Sequence, residues 1–459
     1  MGILSRQNPK IDKEVYHVQC TKNTRNLCAI LSAGAAKCHE NFPGPLFSKN
    51  SNRWSVRNII FQALLMSYEN SATLRDRFDN SRRSLIEMFP REKRPGTTYQ
   101  GFVKARHKIS SPLGESLQKH LQQEHRQAAG KYWRRQGWVP FATDGSRVEV
   151  PRTSANQEVL KCAGKKKTGP QFQLTTLYHM NTGLPWDWRI GPGTEAERTH
   201  LRAMLGSLPD RSLLVADAGF TGYELFCAFL RQGLSFLIRV GSNVTLLRDL
   251  GLEVERKGHQ VWLWPMNKRD QMPLRLRLIR LKSKTRSNLS RHRRDVYLLT
   301  NVFDESHLSE EQASQFYQLR WGVEIFYRSF KQTLDQRKLR SRAPAQAYEE
   351  LHWALTSLLL LGLMSVQALV QKDIAPLRLS VAGALRMVRR AMASSSSWRY
   401  RGDLRIRLVF ALKDDYRRTG SKQARNWPHK KTESPPGNPK TRPAKAEEIR
   451  CAKRIYNVA

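Results

Sequence analysis

The sequence predicts a mixed α/β core flanked by helical segments, and three observations carry that prediction. Short apolar runs between residues 138 and 240 stand first next to one another and then alternate with helical stretches; a further apolar run follows at residues 296–300; and apolar residues on either side of this region recur at helical spacing. From Ser55 to about Arg135, Ile59, Ile60, Ala63 and Leu64 keep a helical period, interrupted by Pro90, Pro95 and Pro112, so residues 1–137 read as a helical N-terminal domain able to bear nucleic-acid contacts. Trp138 to Thr143 reads as a strand ending at Asp144-Gly145, and Gln173–Tyr178 and Leu184–Ile190 as two more strands joined by the turn Asn181-Thr182-Gly183. After the break Gly191-Pro192-Gly193 come a helix (Glu195–Leu208), a strand (Leu213–Ala216) ending at Asp217-Ala218-Gly219, a helix (Tyr223–Arg231) and a strand (Ser235–Val240). Residues 138–241 are therefore the first part of the core.

Residues 242–295 lapse into short alternating runs, Val261–Trp264 and Leu274–Leu281, and carry eleven Lys/Arg against one Asp between Lys268 and Arg294; they read as an inserted, basic, β-rich module. The core resumes over residues 296–350 with the strand Val296–Thr300 and a helix from Ser309, whose Glu310, Glu311 and Gln312 suit a first turn, to about Leu334. Residues 351–412 form a C-terminal helical region suited to dimerisation. Its run Ala354–Val370 is at the short end of a membrane span and contains Thr356, Ser357, Ser365 and Gln367, so it reads as a buried core helix. Residues 413–459 mix Lys and Arg with Pro428, Pro435, Pro436, Pro439 and Pro443 and read as a disordered basic tail.

Charge narrows the function. The chain has 459 residues with 79 Lys+Arg against 39 Asp+Glu, a formal +40, which calls for a polyanionic partner whose neutralisation releases counterions. At 40% hydrophobic it also builds a sizeable core, which excludes a wholly disordered basic protein and favours an enzyme on nucleic acid over a simple phosphate binder. The six cysteines (Cys20, Cys28, Cys38, Cys162, Cys227, Cys451) form no CxxC pair and read as reduced thiols of a cytosolic protein. The first seven residues contain no apolar stretch of the secretory kind.

Asp144 and Asp217 each follow an apolar strand and precede a small residue, a placement that fixes a carboxylate at the crevice of an α/β sheet, although a turn aspartate reads the same way. On the helix after Ser309, Tyr317, Arg320, Glu324, Arg328 and Lys331 fall at spacings of three, four, four and three, one stripe about 21 Å long at the ~1.5 Å rise of a helix. An exposed salt-bridge ladder would have this pattern too. Glu195, Glu197 and His200 are expected to serve at the surface or at the helix start.

The spacing Tyr317-x2-Arg320-x3-Glu324-x6-Lys331 matches the Y-R-E-K signature, and Asp144-Gly145 and Ala216-Asp217-Ala218-Gly219-Phe220 resemble the two aspartate boxes, of insertion-sequence transposases of the IS-four family. Gly191-Pro192-Gly193 with Glu197-Arg198 resembles the stretch between those boxes. The resemblance covers about Trp138 to Leu339. It implies an RNase H-like mixed sheet with helices on both faces, interrupted by the β-rich insertion. It further implies that Asp144, Asp217 and Glu324 hold two Mg²⁺ ions, with Mn²⁺ as a substitute, and that Tyr317, Arg320, Arg328 and Lys331 contact DNA. The expected activity is cut-and-paste DNA transposition: hydrolytic nicking at the element's ends and strand transfer from a 3′-hydroxyl. The expected partners are terminal inverted repeats, target DNA and a second copy of the chain in a synaptic complex, with no membrane; the setting would be the cytoplasm and nucleoid of a bacterium. Two alternatives share the core: an inactive transposase-derived DNA-binding protein and a structure-selective nuclease. Some relatives stack a flipped base on a tryptophan of the insertion, where this chain has Trp262 and Trp264, both expected to be core or strand residues.

Overall fold

The computed structural model describes residues 54–91, 93–163, 169–252, 259–282, 295–393, 404–415 and 436–458. Cys20, Cys28, Cys38, the serine run 394–397, residues 283–294 of the basic run before Val296, and Pro428 and Pro435 of the tail lie outside them. Two compact units are present, one from the described parts of Met1–Gly130 and Ser329–Lys413, the other from those of Lys131–Arg328 and Asp414–Ala459.

The first unit is helical. Val56–Tyr68, Leu74–Met88 and Tyr99–Ala129 each start on a Ser or Thr whose side chain accepts a backbone N–H of the first turn. Pro344–Val370 starts on a proline, at the place in a helix where the missing N–H costs nothing. That last helix is long and apolar enough to cross a bilayer, yet nearly all of its apolar stretch is buried among its neighbours: the Tyr68 hydroxyl donates to the Ser357 carbonyl at 2.7 Å, and Arg106 pairs with buried Glu349. The N-terminal and C-terminal helical segments, expected as separate domains, thus share one core.

The second unit is a ten-stranded sheet in the order β10-β6-β7-β8-β9-β5-β4-β1-β2-β3. The strands are β1 Val139–Glu149, β2 Gln171–His179, β3 Leu184–Pro192, β4 Ser212–Ala216, β5 Ser235–Val240, β6 Thr245–Arg248, β7 Gln260–Leu263, β8 Leu274–Leu281, β9 Val296–Thr300 and β10 Lys440–Pro443. β1 is antiparallel to β2 and β2 to β3, while β1 pairs parallel with β4 and β4 with β5. This 3-2-1-4-5 arrangement is the RNase H-like sheet, and β4 is buried throughout and apolar after Ser212, as a strand covered on both faces must be. β1 does not end at Asp144-Gly145 as its sequence suggests. It runs on to Glu149 because β2 stays in register, with Asp144 opposite Thr176 and Gly145 opposite Thr175.

Two further expectations are corrected. The insertion is not a separate module: β8 pairs with β9, so β6, β7 and β8 extend the core sheet. The tail is not disordered throughout. β10 adds to β6 in parallel and the helix Ala446–Val458 follows, with Ala452 buried. Charge rather than apolar burial anchors this segment, so the Pro and Lys content hid it. Glu448 accepts from Arg442 at 2.6 and 2.8 Å and from Arg269 at 2.5 Å, and Arg269 lies over the Trp264 ring. Arg442 holds the Glu448 carboxyl down to about 2, so the stabilisation is present above the ordinary carboxylate range and is lost as the pH falls toward 2. Glu448→Ala should cost roughly 2 kcal/mol at pH 7, less than a fully buried pair because Arg442 is partly exposed. Urea unfolding checks this; an unchanged midpoint at pH 7 would show that the pair does not hold the tail.

Candidate active site

Asp144 is fixed by the unbroken β1–β2 ladder, and its Oδ1 accepts the Gly145 N–H at 2.9 Å. Asp217 leaves the end of β4 and caps the short turn Ala218–Phe220, its Oδ1 accepting the Ala218 N–H at 2.7 Å. β1 and β4 are adjacent and parallel, with Ala142 opposite Val215, so Asp144 and Asp217 fall at the same level of neighbouring chain segments.

The third carboxylate comes from a helix that is not continuous. A capping box at Ser309 and Gln312 starts Glu310–Leu319; the chain turns at Arg320-Trp321, and Gly322–Arg328 follows. The break lets the second piece press onto the sheet: a side chain at Gly322 would collide with the Tyr178 ring. The Tyr327 hydroxyl donates to the Asp144 carbonyl at 2.7 Å and so locks this helix to β1 beside the aspartate. The predicted stripe therefore holds only in part. Tyr317, Arg320 and Glu324 gather at the acids. Arg328 is exposed at the helix end and makes no ion pair among the described residues. Lys331 falls in the π-helical turn Ser329–Thr333, within the helical unit.

Arg320 is the hub. It is 7% exposed, and its Nη2 donates to Glu324 Oε1 at 3.1 Å and stands 3.9 Å from Asp217 Oδ2. Its charge also lowers the Asp144 carboxyl, though burial outweighs it and pushes Asp144 up to about 6. The Arg320 Nε, buried, has no hydrogen-bond partner among the described residues. Tyr317 reaches Asp217 Oδ1 at 3.5 Å, and burial holds its hydroxyl above the ordinary range.

Among the described residues no three acidic, His or Cys side chains already stand at metal-holding distance. The donor set nonetheless fits divalent cations: three carboxylates of hard oxygen gather round a single guanidinium that only partly satisfies them. Asp144, Asp217 and Glu324 are the residues that would hold the ions.

Sequence reasoning missed three neighbours. Arg239 on β5 lies 3.9 Å from Asp217 Oδ1 and Arg198 donates to the Gly219 carbonyl at 2.7 Å, so two more cations flank the second aspartate. Trp321 is 53% exposed next to Arg320, whereas Trp262 and Trp264 are buried in the sheet extension. No spacing rule marks an arginine at the end of a core strand; its place beside β4 could have been read from strand order alone.

Comparison with known proteins gives the same region. Residues 139–360 match the family model described as the transposase DDE domain. The chain is 25% identical over 210 residues to a probable transposase for insertion sequence element IS5377 of Geobacillus stearothermophilus, covering 45% of this chain and 50% of that protein. It is 22% identical over 275 residues to transposase InsG for insertion sequence element IS4 of Escherichia coli (strain K12), covering 56% and 59%. The chain thus spans about half to three-fifths of the length of these curated relatives. A solved cryo-EM structure of the piggyBac transposase synaptic complex with hairpin DNA aligns over 91% of this chain and 89% of that one, at 12% identity and a TM-score of 0.38. Proteins of the matched domain family use divalent metal ions.

Proposed function

From the match of residues 139–360 to the transposase DDE domain, we propose that the protein is an insertion-sequence transposase of the IS-four family that cuts its element at the terminal inverted repeats and joins the freed 3′ ends to target DNA. The observation that carries this reading is the gathering of Asp144, Asp217 and Glu324, from two neighbouring strands and a helix, around Arg320.

Two Mg²⁺ ions held by these carboxylates, with Mn²⁺ able to replace them, would supply Lewis acidity to the attacking and the leaving oxygen of an in-line phosphoryl displacement. The protein provides no nucleophile of its own. Asp144 and Asp217 hold their positions through the sheet, and Glu324 through the Tyr327 hydroxyl bond to β1. Arg320, which pairs with Glu324 and stands near Asp217, has the planar fork that a DNA phosphate would accept once these acids held cations instead. Tyr317, Arg239 and Arg328 grip the DNA backbone near the scissile phosphate, and Lys331 supplies a further phosphate contact. Trp321 presents an open ring on which an unpaired base can stack.

The +40 charge supplies non-specific affinity. Two copies, each bound to one end, pair the ends before joining, in the bacterial cytoplasm at the nucleoid. An assay for joined target products with pre-cleaved ends tests the reading. Joined products are expected; cleavage without joining would mark a nuclease on this core, and binding without either reaction an inactive derivative. Lys331→Ala should weaken binding to cleaved ends and reduce the slope of log affinity against log salt by about one unit. An unchanged slope in a salt titration would contradict the phosphate contact.

A further inference from the structure

The helix Glu197–Met204 is fastened to the sheet by polar side chains. His200, expected at the surface or the helix start, is buried; its Nε2 pairs with Glu195 Oε2 at 3.0 Å, and its Nδ1 is 3.1 Å from the Thr175 hydroxyl of β2. Glu197 lies over Gly145, where a Cβ would run into it, and accepts from the buried Gln173 Nε2 at 3.2 Å. Leu201 and Met204 are fully buried on the same helix. Arg198 therefore projects from a rigid base.

What Arg198 reaches is backbone. Its Nε donates to the Gly219 carbonyl at 2.7 Å, and a Cβ on Gly222 would stand only 3.1 Å from its Nη1, so the guanidinium lies along residues 219–222. That segment is the turn leaving Asp217, and it fixes where the carboxylate points: Asp217 Oδ1 accepts the Ala218 N–H at 2.7 Å, and the Asp217 carbonyl accepts the Phe220 N–H at 3.0 Å. The far end of the turn is tied by the buried Thr221 hydroxyl, which donates to the Arg239 carbonyl of β5 at 2.9 Å. Asp144 has no need of such ties, because it sits inside β1 opposite Thr176. Asp217 does need them: the ladder of β4 with β5 stops at Ala216, one residue before it.

We infer that Arg198 is a positioning residue for Asp217, holding the turn after β4 so that the carboxylate faces the centre it shares with Asp144 and Glu324. The inference rests on the reading of Asp217 as a metal ligand. It adds a cation that acts through a backbone carbonyl and lies outside the Tyr317–Lys331 pattern.

The test is Mn²⁺ binding, followed by electron paramagnetic resonance, to the full chain with a pre-cleaved terminal-repeat duplex. Wild type, Arg198→Met, Arg198→Lys, Thr221→Val and Asp217→Asn are compared, with thermal melts reporting the fold. Arg198→Met keeps the apolar stem and removes the donors. Its Mn²⁺ affinity should fall by about 10-fold or more, with the Mg²⁺ needed for half-maximal cleavage raised in parallel and the metal-free affinity for the duplex unchanged. Arg198→Lys, which keeps a donor for the carbonyl, should recover part of the loss. An Arg198→Met titration that overlays wild type, while Asp217→Asn loses binding, would overturn the positioning role and leave the triad standing. So would a loss confined to metal-free duplex affinity, which marks a phosphate contact. If Arg198→Met melts well below wild type, Thr221→Val, which removes the opposite tie, is read by the same criterion. Wild type that takes up no Mn²⁺ would overturn the triad as well.

Discussion

Glu324→Gln should abolish metal-dependent cleavage of terminal-repeat DNA, by a thousandfold or more, while leaving DNA binding and folding close to wild type. The substitution keeps volume and leaves an amide oxygen where Glu324 Oε1 now accepts from Arg320 at 3.1 Å, so the packing of the short helix Gly322–Arg328 and the Tyr327 lock on β1 are untouched. What it removes is one negative charge from a set that must bind doubly charged ions. Loss of about 4 kcal/mol of transition-state stabilisation is a thousandfold in rate. Gel-based cleavage of a labelled end, beside a binding isotherm, measures both quantities. Full cleavage in this variant would exclude Glu324 from the chemistry, and a parallel loss of binding would make it a DNA-contact residue.

The second large effect is on pH. Burial raises the Asp144 carboxyl to about 6, and a proton on it must leave before it can hold a cation. Above pH 6 the carboxylate is free and metal binding is insensitive to pH through this group. Below pH 6 each unit should raise the Mg²⁺ concentration for half-maximal cleavage about tenfold. The metal-free fold behaves in the opposite sense. With the folded value raised above the unfolded one, the neutral acid is favoured by folding, so this group adds stability as the pH falls from above 6 toward the ordinary carboxylate range and withdraws it as the pH rises through 6. Asp144→Asn should therefore be inactive, yet more stable than wild type at pH 8 without metal. Mg²⁺ titrations between pH 5 and 8, with melts of the variant, check both signs. A Mg²⁺ requirement that stays level down to pH 5 would mean that Asp144 is not titrating at the site.

What could be read from the sequence was whatever local periodicity and turn chemistry determine. The core strands are short apolar runs that end on small residues, the helix start at Ser309 is written in a capping box, and the leucine run after Ala354 carries enough polar residues, Thr356, Ser357, Ser365 and Gln367, to read as a core helix. Asp217 closes β4 as the turn after Ala216 predicts. The errors came from tertiary context. Asp144-Gly145 has the composition of a turn, but nine residue pairs of β1 with β2 carry the strand through it, and the glycine answers to Glu197, a contact no local pattern contains. The unbroken helical spacing from Tyr317 to Lys331 conceals a turn at Arg320-Trp321 and a π-helical turn at Ser329, because the helix bends to seat Gly322 on Tyr178. The tail looked unstructured because its anchor is a carboxylate between two arginines instead of an apolar face.

If Asp144, Asp217 and Glu324 act as one site, together they hold a pair of divalent cations. Anomalous diffraction from crystals of the protein grown with a cleaved terminal-repeat duplex and Mn²⁺ tests it directly. Two peaks about 4 Å apart are expected, both within coordination distance of these carboxylates, with Arg320 turned away onto the DNA. Mn²⁺ peaks found only elsewhere, with Arg320 still bonded to Glu324, would contradict it.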